Sequence, residues 1–344
     1  MKYLVTGGAG YFGSTLINQL LRENDASVIS YDLNHSHMKH KNLISLIGDI
    51  RDKIKLKEAL SSVDIVFHNV AQVPIAKDKN LFWSVNKDGT KNLLENCISS
   101  GTSKIIYTSS SAIFGVPKSN PVYNNTLPTP AEDYGRAKLA GEKLCHNYIE
   151  QGLSCSIVRP RTILGTGRLG IFQILFEWVY NGKNIPVLDG GKNIYQFIHA
   201  DDLAKSCIIA SKLDKNYILN VGTDEFGTMR ETLDALISYA NTSSKIKSLP
   251  LKFTEICMNI SSYIGLSPLG PYHSLMYGRS LYFDTEETNK ILNFKPKFSN
   301  VDMIIESYKW YIENRELILS VKNSGSLHQS PLKQKILKLV PLFL

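Results

Sequence analysis

Tyr134 and Lys138 stand four residues apart in Tyr134-Gly135-Arg136-Ala137-Lys138, a spacing that puts two side chains on one face of a helix. An ammonium near a phenol favours the phenolate, which can take the proton of a substrate hydroxyl while a hydride leaves the same carbon. Upstream, Thr108-Ser109-Ser110-Ser111-Ala112-Ile113-Phe114-Gly115 offers hydroxyls able to hydrogen-bond an oxygen as charge develops on it. A Tyr-x-x-x-Lys pair arises often by chance on helices, so it carries weight only beside a hydride acceptor. The N-terminus points to one. Lys2-Tyr3-Leu4-Val5 reads as a strand, Thr6-Gly7-Gly8-Ala9-Gly10-Tyr11-Phe12-Gly13 as a glycine turn, and Leu16, Ile17, Leu20 and Leu21 follow at helical spacing. A strand feeding such a turn into a helix brings backbone amides against a pyrophosphate. Asp32 lies nineteen residues past Gly13 and closes the next apolar run. A carboxylate there accepts hydrogen bonds from an adenosine ribose and repels a 2′-phosphate, which favours NAD over NADP.

These groups need one sheet edge to bring them together. Val63–Phe67, Lys104–Thr108 and Ser154–Val158 read as buried strands, the first ending in His68-Asn69-Val70-Ala71 and the last in Arg159-Pro160. A helix is expected around Asn86, Gly89, Thr90, Leu93 and Leu94, and a loop from Pro117 to Pro130. Alternating strands and helices imply α/β architecture: a Rossmann-type doubly wound parallel sheet with a smaller C-terminal substrate-binding lobe. The expected division is 1–165 for the NAD-binding domain, its sheet completed by segments near 195–222. Residues 166–316 form mainly the lobe, and 317–344 a basic and apolar tail. Ligands of open α/β sheets bind at the carboxyl ends of the strands.

Composition agrees with an enzyme of this kind. The 344 residues are 43% hydrophobic and 20% charged, ordinary for a globular chain. Cys97, Cys145, Cys155, Cys207 and Cys257 are scattered with no Cys-x-x-Cys pair, which points to reduced thiols and a cytoplasmic setting. With a strand starting at residue 2, no signal peptide is expected before it, and no stretch is long enough to span a bilayer. The net charge of +8 sits partly in the tail, where Lys322, Lys333, Lys335 and Lys338 follow Glu316 without another acid. Pro331–Leu344 mixes lysines with apolar residues and suits peripheral contact with the inner face of a membrane, or docking on its own domain or a neighbouring subunit. Leu249–Gly270 is apolar enough to be core or the wall of a greasy substrate site. No nucleic-acid motif is present. His35, His37 and His40 read as loop histidines, and no metal is expected.

Taken together, the chain resembles the extended short-chain dehydrogenases/reductases of the NAD-dependent epimerase/dehydratase family over roughly residues 1–316. The resemblance rests on Thr6-Gly7-x-x-Gly10-x-x-Gly13, Asp32, Gly48-Asp49-Ile50, Val85-Asn86-x-x-Gly89-Thr90, the serine cluster, Tyr134/Lys138, Arg159-Pro160, Phe197–Ala204, and Phe283-Asp284 before Leu292–Pro296. It implies Ser110, Tyr134 and Lys138 as catalytic residues, with Ser109 and Ser111 as understudies to Ser110. It implies cofactor contacts from Gly7, Gly10, Tyr11, Phe12, Gly13 and Asp32 in the first unit, and from Asp49 and Ile50 at adenine. Val70, Ala71, Asn86, Thr108, Tyr134, Lys138 and Pro160 complete that set, Asn86 by holding the strand edge. Gln72, Ser111, Arg161, Tyr195 and Arg279 are the substrate candidates.

Two departures narrow the chemistry. Ser111-Ala112 offers no acid after the catalytic serine, against a dehydratase. Tyr195 stands where relatives place a diphosphate-pairing arginine, leaving Arg279, Arg161 and Arg168 to replace it. The expected activity is NAD-dependent epimerisation of a sugar, nucleotide-linked or lipid-diphosphate-linked, by transient oxidation of a secondary hydroxyl. The alternatives are a dehydrogenase of the 3β-hydroxysteroid type and an NAD-sensing binding protein. By analogy a homodimer is expected, through the helices carrying Asn86 and Tyr134.

Overall fold

The computed structural model describes residues 1–320 apart from Asn24, 74–77, Gly265 and 267–270. The tail lysines and Pro331–Leu344 lie outside the described residues.

In chain order the first half runs β1 (Lys2–Thr6), α1 (Tyr11–Leu20), β2 (Ser27–Asp32), β3 (Leu43–Ile47), α2 (Lys53–Ala59), β4 (Ile65–His68), α3 (Lys79–Trp83), α4 (Thr90–Ser100), β5 (Lys104–Thr108), α5 (Asp133–Ile149) and β6 (Cys155–Pro160). The second half runs β7 (Thr162–Leu164), α6 (Ile171–Tyr180), β8 (Ile185–Leu188), β9 (Ile194–Tyr195), β10 (Phe197–His199), α7 (Ala200–Ser211), β11 (Ile218–Val221), β12 (Gly227–Thr228), α8 (Met229–Ala240) and β13 (Ile246–Leu249). It ends with α9 (Leu251–Tyr263), α10 (Pro271–Met276), α11 (Glu286–Leu292) and α12 (Asn300–Ser320).

Strand alternation explains the layering. Along β1, Tyr3 and Val5 join one apolar cluster with Leu16, Ile17 and Leu20 of α1 and Leu203 and Cys207 of α7. Leu4 points the other way, into a cluster with Leu56 of α2, Leu93 of α4 and Cys145 of α5. A strand buried on both faces needs a helix layer on each side, and the chain supplies both. The seven strands run β3-β2-β1-β4-β5-β6-β11, all parallel. Strand order reverses between β1 and β4, and a crevice opens at their carboxyl ends. The seventh strand, β11, enters from beyond residue 165 and pairs with β6 from Ile218↔Ile157 to Val221↔Pro160.

Two elements differ from expectation. Val63 and Asp64 precede β4 rather than forming it, because the Asp64 carboxylate accepts from the Lys2 amide at 2.7 Å and ends the ladder there. Asn86 falls not in an α-helix but in the π-helical turn Ser84–Gly89 that joins α3 to α4. Such a turn marks a place where a side chain is re-aimed within a continuous helix.

Over the sheet's carboxyl edge, α6, α8 and α12 enclose their own core of Phe172, Phe176, Leu233, Leu236, Met303 and Tyr311. Asn300 at the start of α12 accepts from the Phe197 amide at 3.0 Å and donates to the Tyr195 carbonyl at 2.6 Å. That clamp fixes β9 and β10 above the crevice. Below it, Arg159 on β6 meets Glu142 on α5 through two bonds of 2.9 and 2.6 Å, with both side chains almost fully buried. The pair ties the helix bearing Tyr134 to the sheet.

Candidate active site

The glycine turn is shaped to admit a pyrophosphate. Gly7 has φ +71°, and a Cβ there would lie 3.0 Å from the Val70 nitrogen. A Cβ on Gly13 would come within 2.0 Å of the Gly7 carbonyl oxygen, so helix and turn meet only because that residue is glycine. Asp32 ends β2 beside the turn, and its carboxylate accepts from the amides of Ala9 at 3.2 Å and Asn34 at 3.0 Å. Asp49 is gripped by Arg51 at 2.5–3.1 Å, which holds its carboxyl below the usual carboxylate range. These features fit a dinucleotide.

A buried relay that the motifs do not announce braces this cradle. Thr90 gives its hydroxyl proton to the Asn86 carbonyl at 2.8 Å, so its oxygen accepts from His68 Nε2 at 3.0 Å. His68 Nδ1 then accepts from the Thr6 hydroxyl at 2.7 Å, while the Thr6 oxygen receives the Asn69 amide at 3.2 Å. The Asn86 side chain completes the brace by bonding both backbone groups of Gln72, at 2.7 and 3.0 Å. Burial holds His68 down at about 3, with Lys138 a secondary cause, so the imidazole is neutral. The signal available in sequence was only that threonines and a histidine sit at strand ends.

Tyr134 begins α5, whose first amides are capped by Glu132 at 2.8 and 2.6 Å. Its ring packs edge-on against Phe82 at 6.1 Å. Burial pushes the phenol up to about 12; a hydrogen bond with Ser110 and the Arg168 guanidinium pull it back down, and Glu132 opposes them. Lys138 is one turn along, fully buried, and donates to the Thr108 carbonyl at 2.6 Å from over the Tyr107 ring. Burial lowers its ammonium to about 8. Ser110, Glu132 and Arg168 act on Tyr134, and the Lys138 amine is fixed at the end of β5. Thr108 itself donates to Asn69 at 2.6 Å, joining β5 to β4 where the crevice opens.

The substrate candidates divide. Arg161 is 1% exposed and donates to Ser111 at 2.8 Å; its guanidinium stacks on Tyr195 at 4.9 Å and Phe283 at 5.9 Å. Among the described residues its Nε and one Nη have no hydrogen-bond partner. Arg168, also buried, lies over Tyr11 at 5.4 Å and Phe172 at 5.8 Å, and burial lowers it to about 10. Among the described residues neither arginine has a carboxylate within 4.0 Å. Tyr195 bonds Thr162 at 2.8 Å. Arg279 is not available for a phosphate: its guanidinium is paired with Glu255 of α9 and donates to the Leu275 carbonyl at 2.6 Å.

One cavity of about 1080 Å³ gathers the site. Every expected catalytic, cofactor and substrate residue lines it except Asn86, which acts through Gln72, and Arg279. Arg168 lines it too. The far wall consists of Phe172, Leu175 and Trp178 on α6, which sequence reasoning missed, and Leu249, Phe253 and Met258 from the stretch read as core or wall.

A model of the NAD dependent epimerase/dehydratase family matches residues 3–222. The uncharacterized protein y4nG of Sinorhizobium fredii is 54% identical over 98% of this chain and 85% of its own. The human sterol-4-alpha-carboxylate 3-dehydrogenase, decarboxylating, is 28% identical over 85% of this chain and 83% of its own. The UDP-glucose 4-epimerase of Lacticaseibacillus casei is 28% identical over 92% of this chain and 98% of its own. In fold, the chain is similar to the solved UDP-glucose 4-epimerase of Thermotoga maritima, with a TM-score of 0.77 and 22% identity over 92% of this chain and 100% of that one. The chain therefore belongs to the NAD dependent epimerase/dehydratase family and is an NAD-dependent enzyme built on a Rossmann-type sheet.

Proposed function

We propose that the protein oxidises a secondary alcohol carried on a molecule with a large apolar part and an anionic group. The observation that carries this reading is the character of the cavity beyond the tyrosine. It is walled by Trp178, Leu249, Phe253 and Met258, and of the three arginines expected to pair a diphosphate only the buried Arg161 and Arg168 line it, Arg279 being held by Glu255.

The chain's own groups divide the work as follows. The glycine turn and Asp32 hold the dinucleotide, with the Thr6–His68–Thr90 relay fixing the crevice behind it. NAD, when bound, supplies the hydride acceptor and a cationic ring that favours a phenolate. Ser110, hydrogen-bonded to Tyr134, orients the substrate hydroxyl, and Tyr134 takes its proton. The Arg168 charge stabilises the phenolate that results. Lys138 keeps α5 docked on the end of β5 through Thr108. Arg161 Nε and one of its Nη atoms, with Arg168 Nε, are buried without a hydrogen-bond partner among the described residues and are donors for an anion. A relative's name joins both features, a sterol body and a carboxylate.

A second reading, epimerisation of a lipid-linked or nucleotide-linked sugar, is favoured by the UDP-glucose 4-epimerases among the relatives. One experiment separates them. Purified protein is assayed by mass spectrometry for bound cofactor and by absorbance for NADH, with hydroxysteroid acids and with UDP-glucose. Stoichiometric NADH from the apolar alcohol supports the first reading. Turnover of the sugar without NADH release overturns it in favour of the second. Tyr134→Phe, which keeps NAD but loses turnover, separates either enzyme from an NAD sensor, which would lose little.

A further inference from the structure

Helix α9 is thirteen residues long and buries none of them. Its apolar residues are not scattered. Phe253, Ile256, Ile260, Tyr263 and Ile264 are 57–93% exposed and fall within about 100° of helix circumference, with Leu266 at 49% just beyond. The adjoining side of the same helix, through Thr254, Cys257, Met258 and Ser261, lines the cavity that holds Tyr134. Phe253 belongs to both sides and stands at the rim. The helix is thus the partition between the chamber and the outside, with Thr254, Cys257, Met258 and Ser261 inward and an apolar stripe outward.

From the structure we propose that this face docks on an anionic lipid surface, so that an apolar substrate passes from the bilayer past Phe253 into the cavity. Charge selects this occupant. Between Asn241 and Leu266 the chain has Lys245, Lys247 and Lys252 against one acid, Glu255, which is paired with Arg279. Asp189 at the helix start accepts from the Leu251 amide and caps it. Lys252 beside an apolar stripe, with Lys245 and Lys247 just upstream in the chain, matches anionic headgroups over acyl chains. The chain's own residues 321–344 are poor occupants, because they bring lysines and no acid to a rim that is already basic. A protein partner seated here would close the chamber's mouth, whereas a lipid surface would feed it. Among the described residues no helix is long and apolar enough to cross a membrane, so contact is peripheral.

The inference rests on reading the cavity as the chamber of an apolar substrate, but its test is read without turnover and so fails separately. Cys257 is the exposed cysteine at the rim, the other four being buried, and takes an environment-sensitive maleimide dye in the full-length protein. The labelled protein is titrated with phosphatidylcholine vesicles and with vesicles containing a quarter phosphatidylglycerol, at low and high salt. The expected result is a blue shift with anionic vesicles that salt weakens. The triple variant Ile256→Ser, Ile260→Ser, Tyr263→Ser should bind on the order of tenfold or more weakly, since each residue faces outward and would bury apolar area in the interface. A companion variant, Lys333→Gln with Lys335→Gln and Lys338→Gln, isolates the tail. The proposal is overturned by a triple variant that binds like the parent or by vesicle co-sedimentation without a dye response.

Discussion

His68 gives the sharpest physical prediction, because its hydrogen bonds fix its protonation state. Thr90 has committed its proton to Asn86, so Nε2 must carry the ring hydrogen and Nδ1 must accept from Thr6. A second proton on Nδ1 would face the Thr6 hydroxyl in a fully buried site with Lys138 nearby. Burial, with Lys138 a lesser cause, holds the folded pKa at about 3, against an ordinary value of 6.5. Below 6.5 the unfolded chain takes up a proton that the native state refuses, so stability falls as pH drops and continues to fall until about 3. Linkage gives roughly 2 kcal/mol lost by pH 5 and about 5 kcal/mol over the whole window. The perturbation is His68→Gln, which cannot titrate. Urea unfolding at pH 7.5 and pH 5.0 is measured for both proteins, and the other histidines and the carboxylates cancel in the difference of differences. The parent should lose about 2 kcal/mol more than the variant. Equal losses would refute the argument, as would an NMR titration of the His68 ring with a midpoint near 6.5. The His68 relay of the folded protein should leave NAD affinity unchanged over the same range, since the native ring stays neutral and keeps bracing Gln72 and the glycine turn.

Three further outcomes follow from the same structure. Glu142→Gln strands the Arg159 guanidinium in a buried site and should cost about 3–5 kcal/mol in urea unfolding, with Arg159→Met added to it recovering part of the loss. Gly13→Ala should weaken NAD binding on the order of tenfold or more in calorimetry, because the new Cβ meets the Gly7 carbonyl at 2.0 Å and the turn must open. Arg168→Met removes a cation that lowers the Tyr134 pKa, so the rising limb of the pH–rate profile should move to higher pH; an unmoved limb would show that the guanidinium does not act on the phenol.

The cofactor half of the site was legible because it is local. Gly7, Gly10 and Gly13 act through backbone shape within one turn, and Asp32 lies at the end of the very next strand, so spacing alone places them. Tyr134 and Lys138 were legible as a helical pair, but not in their division of roles. Helix spacing says which side a side chain leaves from, not where a flexible lysine stem ends, and here the amine ends on a β5 carbonyl. The His68 relay joins residues 62 and 22 positions apart and has no motif, since threonine and histidine at strand ends are ordinary core polar residues.

The substrate half shows a deeper limit. Tyr195 could be read as a departure directly, because the segment before Phe197 is a local pattern. Arg279 could not be discounted without Glu255, which reaches it from another helix. The same two residues fix the orientation of α9. Its apolar positions recur with helical period in the sequence, and periodicity ordinarily places such a stripe against a core. Glu255 lies on the helix flank, about 80–140° around from Tyr263, Ile256 and Ile260, and its ion pair with Arg279 holds the helix with that stripe exposed and Phe253 at the chamber's rim. A helix held through one carboxylate on its flank, rather than through its apolar face, is one whose apolar face has been left for something other than the protein core.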